Sequence, residues 1–249
     1  MEGIHIALAS EPVFHLWGVP ITNSILLTWV VVLLLAGIGT LVGKRAKLVP
    51  GRLQTAFELM FETVLDYMSE TLESKQMALK YFPLIATIFL FIFTANMLTF
   101  IPGVESIGFH EGSRIVGYFR PVNTDLNTTL ALAIIVFLVI ELSGIFALGF
   151  LKYGSKFVSF KSVMGSVVGI LELLGNIARL ISFSFRLFGN IFAGHVLILV
   201  IVFFLPFFVP VPLMLFEVFV GFLQAAIFAL LTLVFIKLAV EPPHGEAAH

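Results

Sequence analysis

The chain has 249 residues, of which 59% are hydrophobic and only 12% are charged, and its formal net charge is −1. Because a soluble domain carries about 25% charged residues, this composition excludes a soluble globular domain and indicates an integral membrane protein. The near-zero net charge argues against a nucleic-acid partner, and the absence of cysteine excludes disulfide and thiol chemistry.

The first segment lacks the features of a cleaved signal peptide. Residues 1–10 have no basic region and include Glu2, so we expect the first apolar span to be retained, with residues 1–20 as an external N-terminus. Residues 21–43 contain no charged side chain and are long enough to cross a bilayer, which needs about 20 apolar residues. They form the first predicted span.

Residues 50–80 have the pattern of an amphipathic helix at the cytoplasmic membrane surface or against a partner. Apolar residues recur at helical spacing, at Leu53, Phe57, Phe61, Val64, Met68 and Leu72. Acidic residues repeat every four positions on a neighbouring face, at Glu58, Glu62, Asp66 and Glu70. This acidic row is either a solvated face or a docking surface for another subunit.

Two more spans follow. Residues 81–103 are uncharged and end at Ile101-Pro102-Gly103, a helix-stop signal, and residues 104–125 are predicted to form an external loop. Residues 126–151 form the third span, interrupted only by Glu141. That acid either pairs within the helix bundle or belongs to an ion pathway.

The C-terminal third predicts a hairpin of two long helices. Residues 162–204 would reach roughly 64 Å as one helix, so they are either strongly tilted or broken into two pieces. Prolines at 206, 210 and 212 mark an external turn over residues 205–212. Residues 213–240 form the last span, and residues 241–249 form a tail.

Basic residues orient these five spans. Lysine and arginine cluster after spans one and three and are sparse in the segment after span two, which holds only Arg114 and Arg120. The positive-inside bias therefore puts the N-terminus outside and the C-terminus in the cytoplasm. The predicted fold class is an all-α integral membrane protein, with five transmembrane helices, one amphipathic surface helix and a tilted C-terminal hairpin.

Polar side chains inside the last two spans are the candidate functional residues. Glu172, Arg179 and Arg186 are spaced seven apart and share one helix face, and Asn190 lies one turn beyond Arg186. An arginine at mid-bilayer costs roughly 2.5–3.5 kcal/mol and cannot shed its proton. Since no acid on its own face lies within two turns, the counter-charge of Arg186 is expected on another helix or another chain.

The last helix carries Glu217 and Gln224, again seven apart. Folding the two helices about a turn centred near residues 205–207 predicts His195 beside Glu217 and Arg186 beside Gln224, within about one turn. A carboxylate beside an imidazole can hold and pass a proton near neutral pH.

Each of the other polar residues also has a structural interpretation. Glu172 and Arg179 can form an ion pair near the cytoplasmic end, and His195 alone can be a hydrogen-bonded core histidine. Asn176 and Asn190 can serve only to pack helices together.

The sequence resembles subunit a of the bacterial F-type ATP synthase, the membrane stator of the rotary motor, over essentially the whole chain. The specific match is the block from Arg186 to His195, Arg-Leu-Phe-Gly-Asn-Ile-Phe-Ala-Gly-His, with Leu-Gln-Ala-Ala-Ile-Phe at residues 223–228. Weaker matches are Phe-Thr-Ala-Asn-Met-Leu at 93–98, Ile-Pro-Gly at 101–103, Thr-Asp-Leu-Asn-Thr-Thr-Leu at 124–130 and Ile-Thr-Asn-Ser at 21–24.

The resemblance implies roles for named residues. Arg186 matches the essential stator arginine that faces the carboxylates of the rotating c-ring, and Gln224 matches its polar companion. His195 and Glu217 match the polar pair of the outer half-channel. The remaining matches are Asp125 and Asn127 at that channel's entrance, Asn190 within the arginine motif, Glu172 in the cytoplasmic half-channel, and Arg179 at a basic position of less defined role.

The resemblance also implies partners and location: the c-ring, subunit b of the peripheral stalk, the lipid bilayer of the bacterial inner membrane, and translocated H⁺, with Na⁺ left open. The chain has no Walker-type phosphate loop, so no catalytic chemistry, cofactor or metal is expected of it. One alternative is a secondary transporter in which Arg186 binds an anionic substrate, and the absence of repeated halves weighs against it. The other is a purely structural membrane subunit, which the number of costly polar groups aligned on two helices disfavours.

Overall fold

The computed structural model describes residues 10–45, 47, 50–101, 107–111, 114–157 and 163–241. Within them lie seven α-helices: α1 (Asn23–Arg45), α2 (Arg52–Leu72), α3 (Lys75–Thr99), α4 (Leu126–Leu148), α5 (Phe150–Phe157), α6 (Val163–Phe204) and α7 (Pro210–Val240). Five of the seven (α1, α3, α4, α6 and α7) are long and apolar enough to cross a membrane. The predicted all-α membrane fold with five spans is confirmed.

Two small antiparallel hairpins, which the sequence analysis did not predict, accompany the helices. Strands β1 (Pro12–Leu16) and β2 (Val19–Thr22) precede α1, and β3 (Gly108–Glu111) and β4 (Arg114–Gly117) follow α3. A short 3₁₀-helix, Val122–Thr124, then leads into α4. The predicted stop at Pro102-Gly103 and the tail beyond Glu241 lie outside the described residues.

The surface helix and the second span meet earlier than the predicted boundary at residue 80. Helix α2 ends at Leu72, Glu73 adopts a left-handed conformation with φ 53°, and α3 begins at Lys75. The Ser74 hydroxyl caps α3 by accepting a hydrogen bond from the Met77 N–H at 3.4 Å. Hydropathy alone placed the boundary at the first uncharged run, whereas this local cap sets the true start of the spanning helix.

The exposed Glu73 ties this junction to the last helix. Its carboxylate accepts a hydrogen bond from the Lys237 ammonium at 2.7 Å. That hydrogen bond, together with the charge of Lys237, lowers the pKa of Glu73 from its ordinary value. The end of α2 is therefore held against the end of α7 at the surface of the bundle.

The long segment predicted over residues 162–204 is one unbroken helix. Helix α6 has 42 residues, which corresponds to roughly 63 Å. Helix α7 begins at Pro210, three residues before the predicted start, because prolines at the first turn of a helix lose no intrahelical hydrogen bond. The predicted third span likewise ends early, at Leu148, because Gly149 adopts φ 83° before α5 begins.

Helix α7 packs against α2, α3, α4 and α6 and so lies at the centre of the bundle. Its Phe228, Leu233 and Ile236 are fully buried, as are Leu187 of α6 and Ile92 of α3. Because lipid is as apolar as these side chains, close packing rather than release of water holds such helices together.

Gly144 marks a close approach between helices near one end of α4. A Cβ added there would overlap the Tyr153 ring and lie 2.9 Å from the Ala239 carbonyl oxygen. We expect Gly144→Ala to lower the free energy of unfolding by about 1–3 kcal/mol, since a backbone carbonyl and a packed ring cannot yield cheaply. Thermal unfolding of the purified protein in detergent measures the loss.

Gly37→Ala is the matched control, because a Cβ at that helical glycine in α1 meets nothing within 4 Å. It should be neutral or slightly stabilising, since alanine has the better helix propensity. Equal losses for the two variants would contradict the packing argument.

Candidate functional site

Arg186 lies on the outer surface of α6, with its side chain exposed. Its Nη2 donates a hydrogen bond to the Ser182 hydroxyl, one turn away on the same helix, at 3.2 Å. Among the described residues, no carboxylate forms an ion pair with it. Helix α6 therefore presents on its outer surface a positive charge that no described carboxylate pairs with.

The partner of Gln224 is one helical turn away from Arg186, the residue that the sequence predicted. The Asn190 Nδ2 donates to the Gln224 Oε1 at 2.9 Å, so Gln224 contacts Asn190 rather than Arg186. The linker between α6 and α7 is centred on Phe207. A turn centred there puts Asn190 opposite Gln224, whereas a centre at Leu205 would have put Arg186 there. The buried Gln224 Nε2 has no hydrogen-bond partner in the described part of the chain.

Glu217 is only 6% exposed and points from α7 into α6. Its carboxylate packs so closely on Gly194 that any Cβ at that position would overlap it. Gly194 directly precedes the half-buried His195, so the two predicted residues of the pair converge on the same level of the hairpin. Arg120, in the segment before α4, lies close enough for its charge to act on His195.

Glu141, which stood alone on its predicted span, is held by two donors from neighbouring helices. The Tyr153 hydroxyl of α5 donates to its carboxylate at 2.9 Å, and the Asn176 Nδ2 of α6 donates at 3.0 Å. Both donors are buried. The structure thus shows Glu141 paired inside the bundle, and this pairing gives Asn176 a partner beyond simple helix packing.

Arg179 lies beside this acid but stacks on an aromatic ring. It lines the same cavity as Glu141 and Asn176, and its guanidinium carbon lies 4.9 Å from the centre of the Phe235 ring. The ion pair considered between Glu172 and Arg179 is not formed in the described part of the structure, because the guanidinium turns toward α7 instead. The half-exposed Glu172 remains on the same helix, two turns away.

Asp125 is a buried helix cap that joins three segments. Its Oδ1 accepts the Asn127 backbone N–H at 2.9 Å, and its Oδ2 accepts hydrogen bonds from the Ser24 hydroxyl at 2.7 Å and from the Ser10 hydroxyl. The Asn127 side chain is exposed at the start of α4. Asp125 therefore fixes the N-terminus of α4 against the start of α1.

A pair of asparagines that the sequence analysis did not single out contacts α7 at Gly221, one turn beyond Glu217. The Asn123 Nδ2 donates to the Asn96 Oδ1 at 2.7 Å, and the Asn96 Nδ2 donates to the Gly221 carbonyl at 2.9 Å. The Asn123 Oδ1 is buried without a partner in the described residues. The sequence signal that could have identified this pair is Asn96, an amide within the otherwise apolar helix α3. Such an amide is costly in lipid unless it has a hydrogen-bond partner.

The hydroxyl of Tyr153 provides a test of the Glu141 cluster. We expect Tyr153→Phe to lower the free energy of unfolding by about 1–3 kcal/mol, because the carboxylate loses one of its two donors. Tyr67→Phe, at an exposed position on α2, is the control and should be neutral. Chemical or thermal unfolding in detergent compares the two.

The same substitution should change how the free energy of unfolding falls at alkaline pH. Burial, followed by the hydrogen bond to Glu141, raises the pKa of Tyr153 above its ordinary value of 10.0. The folded state therefore keeps this proton longer than the unfolded state. The resulting stabilisation is complete below about pH 10 and is lost as the pH rises through the higher folded value. Tyr153→Phe should show a shallower decline above about pH 10, and an identical decline would count against the buried phenol.

The chain is similar to known proteins over most of its length. Residues 25–237 match the family model described as ATP synthase A chain. The chain is 38% identical over 224 residues to ATP synthase subunit a 2 of Syntrophotalea carbinolica, covering 87% of this chain and 85% of that protein. It is 35% identical over 223 residues to ATP synthase subunit a of Geobacter sulfurreducens, with 89% of each chain covered. It is 33% identical over 224 residues to ATP synthase subunit a of a Sulfurihydrogenibium species, covering 90% of this chain and 99% of that protein.

Proposed function

Because this chain belongs to the ATP synthase A chain family, we propose that it is the ion-conducting stator subunit of a bacterial F-type ATP synthase. It lies beside a rotating ring of c subunits, each with a carboxylate near mid-membrane, and contacts subunit b of the peripheral stalk. The ion is H⁺ or Na⁺, a choice made by the ring. This chain performs no catalytic chemistry, and ATP is made on other subunits of the complex.

The observation that carries this proposal is the outward position of Arg186. Its guanidinium is exposed on α6 with only the Ser182 hydroxyl as a hydrogen-bond partner in the described residues. A permanent charge facing lipid is costly, so a group of opposite charge on another subunit must lie opposite the guanidinium while the complex operates. A ring carboxylate supplies the opposite charge at the right depth.

The surface around Arg186 supports the approach of another helix. Small residues flank the guanidinium along the same face of α6: Gly175, Ala178, Ser182, Gly189 and Ala193. A Cβ added at Gly189 would meet nothing within 4 Å, so this part of the face is open. Small residues let helix backbones come close within a membrane, which suits a ring helix that must bring its carboxylate to the arginine.

The mechanism follows from the cost of charge in lipid. A ring carboxylate that faces lipid must be neutral, so it carries its ion there. At the stator, the positive charge of Arg186 favours the ionised carboxylate, which promotes release of the ion into the exit half-channel. The carboxylate binds its next ion from the other half-channel after it has moved past the arginine. An ion-loaded site gains little from the arginine, so the same charge separates the two half-channels and prevents a direct leak.

We assign the outer half-channel to the residues near the α6–α7 turn. The ion enters past Asn127 and Asp125 and passes His195 and Glu217 to reach the ring. Asn190 and Gln224, linked by their hydrogen bond, lie between this pair and Arg186. Glu172 and Arg179 lie on the opposite side of Arg186 along α6, on the path out. Each charge that crosses yields about 2.3 kcal/mol per 100 mV.

Orientation follows from the basic residues. The end of the bundle that holds Lys44, Arg52 and Lys237 is placed in the cytoplasm, and the N-terminus is placed outside. The outer half-channel then opens on the side of the 3₁₀-helix and the two hairpins.

Proximity cross-linking tests the arrangement, because the chain has no native cysteine. Ser182→Cys, labelled with a thiol-directed photoreactive reagent in the assembled complex, should cross-link to subunit c. Leu33→Cys, on the exposed face of α1, is the matched control and should not. Capture of subunit c by the control alone, or by neither variant, would overturn the assignment of this face to the ring.

A further inference from the structure

The hairpin β1–β2 has one apolar face, most of which is exposed. Its register pairs Phe14 with Ile21 and Leu16 with Val19, so these four side chains share a face. Ile21 is buried at the base, whereas Phe14 is 41%, Leu16 46% and Val19 59% exposed. We call the exposed three residues the apolar face of the hairpin.

The tip of the hairpin exposes a tryptophan in an unfavourable backbone conformation. Trp17 adopts φ 50° and Gly18 adopts φ 84°, the two positive angles of a type I′ turn. Asparagine or glycine usually occupies the first of these positions, and a bulky residue there is strained. Trp17 is nonetheless 97% exposed, so contacts with the described residues do not offset the strain.

The opposite face is more polar and equally open. His15 pairs with Pro20 across the strands, and both are exposed. The hairpin is therefore amphipathic. Because an isolated two-stranded hairpin is only marginally stable in water, its apolar face needs a cover.

The hairpin is continuous with the exposed apolar surface of α1, a helix long and apolar enough to cross a membrane. Strand β2 ends at Thr22 and α1 begins at Asn23, whose backbone N–H donates to the Glu11 carbonyl at 3.1 Å. The outer surface of α1 is apolar, with Trp29 46% and Leu33 71% exposed. The hairpin thus leaves the bundle at the end of a lipid-facing helix, where acyl chains give way to headgroups.

We propose that the β1–β2 hairpin is an interfacial anchor that lies along the membrane surface. Its apolar face and Trp17 enter the boundary between acyl chains and headgroups, and the face with His15 points to water. Tryptophan favours this boundary because its ring is apolar and its indole N–H needs a polar partner. The hydrogen bonds of Asp125 to the Ser10 and Ser24 hydroxyls hold the base of the anchor to α1 and α4.

The chain contains only two tryptophans, which makes the depth of Trp17 measurable. Whole complexes with W29F, W17F or both are reconstituted into phosphatidylcholine vesicles brominated either near the headgroup or near the end of the acyl chain. Emission of the double variant is subtracted as background. In W29F complexes, Trp17 should emit at shorter wavelength than tryptophan in water, and headgroup-proximal bromine should quench it more than deep bromine.

W17F complexes provide the matched control. Trp29 lies about 9 Å along α1 from Asn23, so deep bromine should quench it relatively more than it quenches Trp17. Trp17 quenched by aqueous iodide but not by brominated lipid would show a hairpin in water. Trp17 quenched by neither would show a protein partner over it, and either result overturns the proposal. If W29F fails to assemble, Leu16→Cys with a polarity-sensitive fluorophore measures the same face.

Discussion

Replacing Arg186 with alanine is expected to abolish proton-driven ATP synthesis in membrane vesicles, with a residual rate below about 1% of wild type. The expectation follows from electrostatics: the variant lacks the positive charge that favours the ionised ring carboxylate and separates the half-channels. Because the side chain is exposed and donates only to Ser182 within the described residues, assembly should be preserved. Subunit content of the purified complex checks that point alongside the activity.

Two variants sharpen this test. Ser182→Ala removes the hydrogen-bond partner of Arg186 but leaves its charge, so it should retain most activity. Arg186→Lys should perform poorly, because an ammonium can deprotonate in lipid and lacks the planar donor fork. Normal ATP synthesis by Arg186→Ala would refute the proposed function outright.

Removal of both members of the outer pair is expected to have the second largest effect. The double variant His195→Ala with Glu217→Ala should lower the rate of ion conduction at least about tenfold, since it removes both the imidazole and the carboxylate that packs on Gly194. The exchange His195→Glu with Glu217→His should retain clearly more, because it keeps one acid and one imidazole in the hairpin. Fluorescence of a pH-sensitive dye in vesicles under an imposed potential measures the rates.

The control for this pair is a change of shape without loss of charge. Gly194→Ala keeps both titratable groups but pushes the flexible end of Glu217 aside, so its loss should lie between wild type and the double alanine variant. Equal loss in the exchanged and double alanine variants would argue against an interchangeable pair and in favour of a purely structural role.

Much of the membrane architecture was predictable because lipid imposes simple rules. Uncharged runs of about 20 residues must be helices, since no other local structure satisfies the backbone in lipid. The five spans and the hairpin of long helices follow from this rule. The helix breaks at Glu73 and Gly149 were not predictable, because each depends on a positive φ that hydropathy does not report.

Some features of the candidate site were likewise predictable from the sequence, and others were not. Regular spacing along α6 placed the backbones of Arg179 and Arg186 on one side of the helix, but the Arg179 side chain turns inward to the Phe235 ring whereas Arg186 is exposed. The contact between Asn190 and Gln224 depends on where the turn is centred, and a shift of two residues at the turn moves the partner by one helical turn. The partners of Glu141 could not be predicted either, because Tyr153 and Asn176 lie on two other helices and donate to it across the bundle.

By itself, the sequence determined that this is a five-span membrane protein with one costly arginine and a specific motif around it, because charge, hydropathy and helical spacing are properties of the chain alone. Only the tertiary structure decided that Arg186 points outward, that Glu217 packs on Gly194 and that Glu141 is paired within the bundle. The physical reason is that the direction of a side chain and the identity of its partner depend on helix rotation and register. These are set by packing between segments distant in the chain.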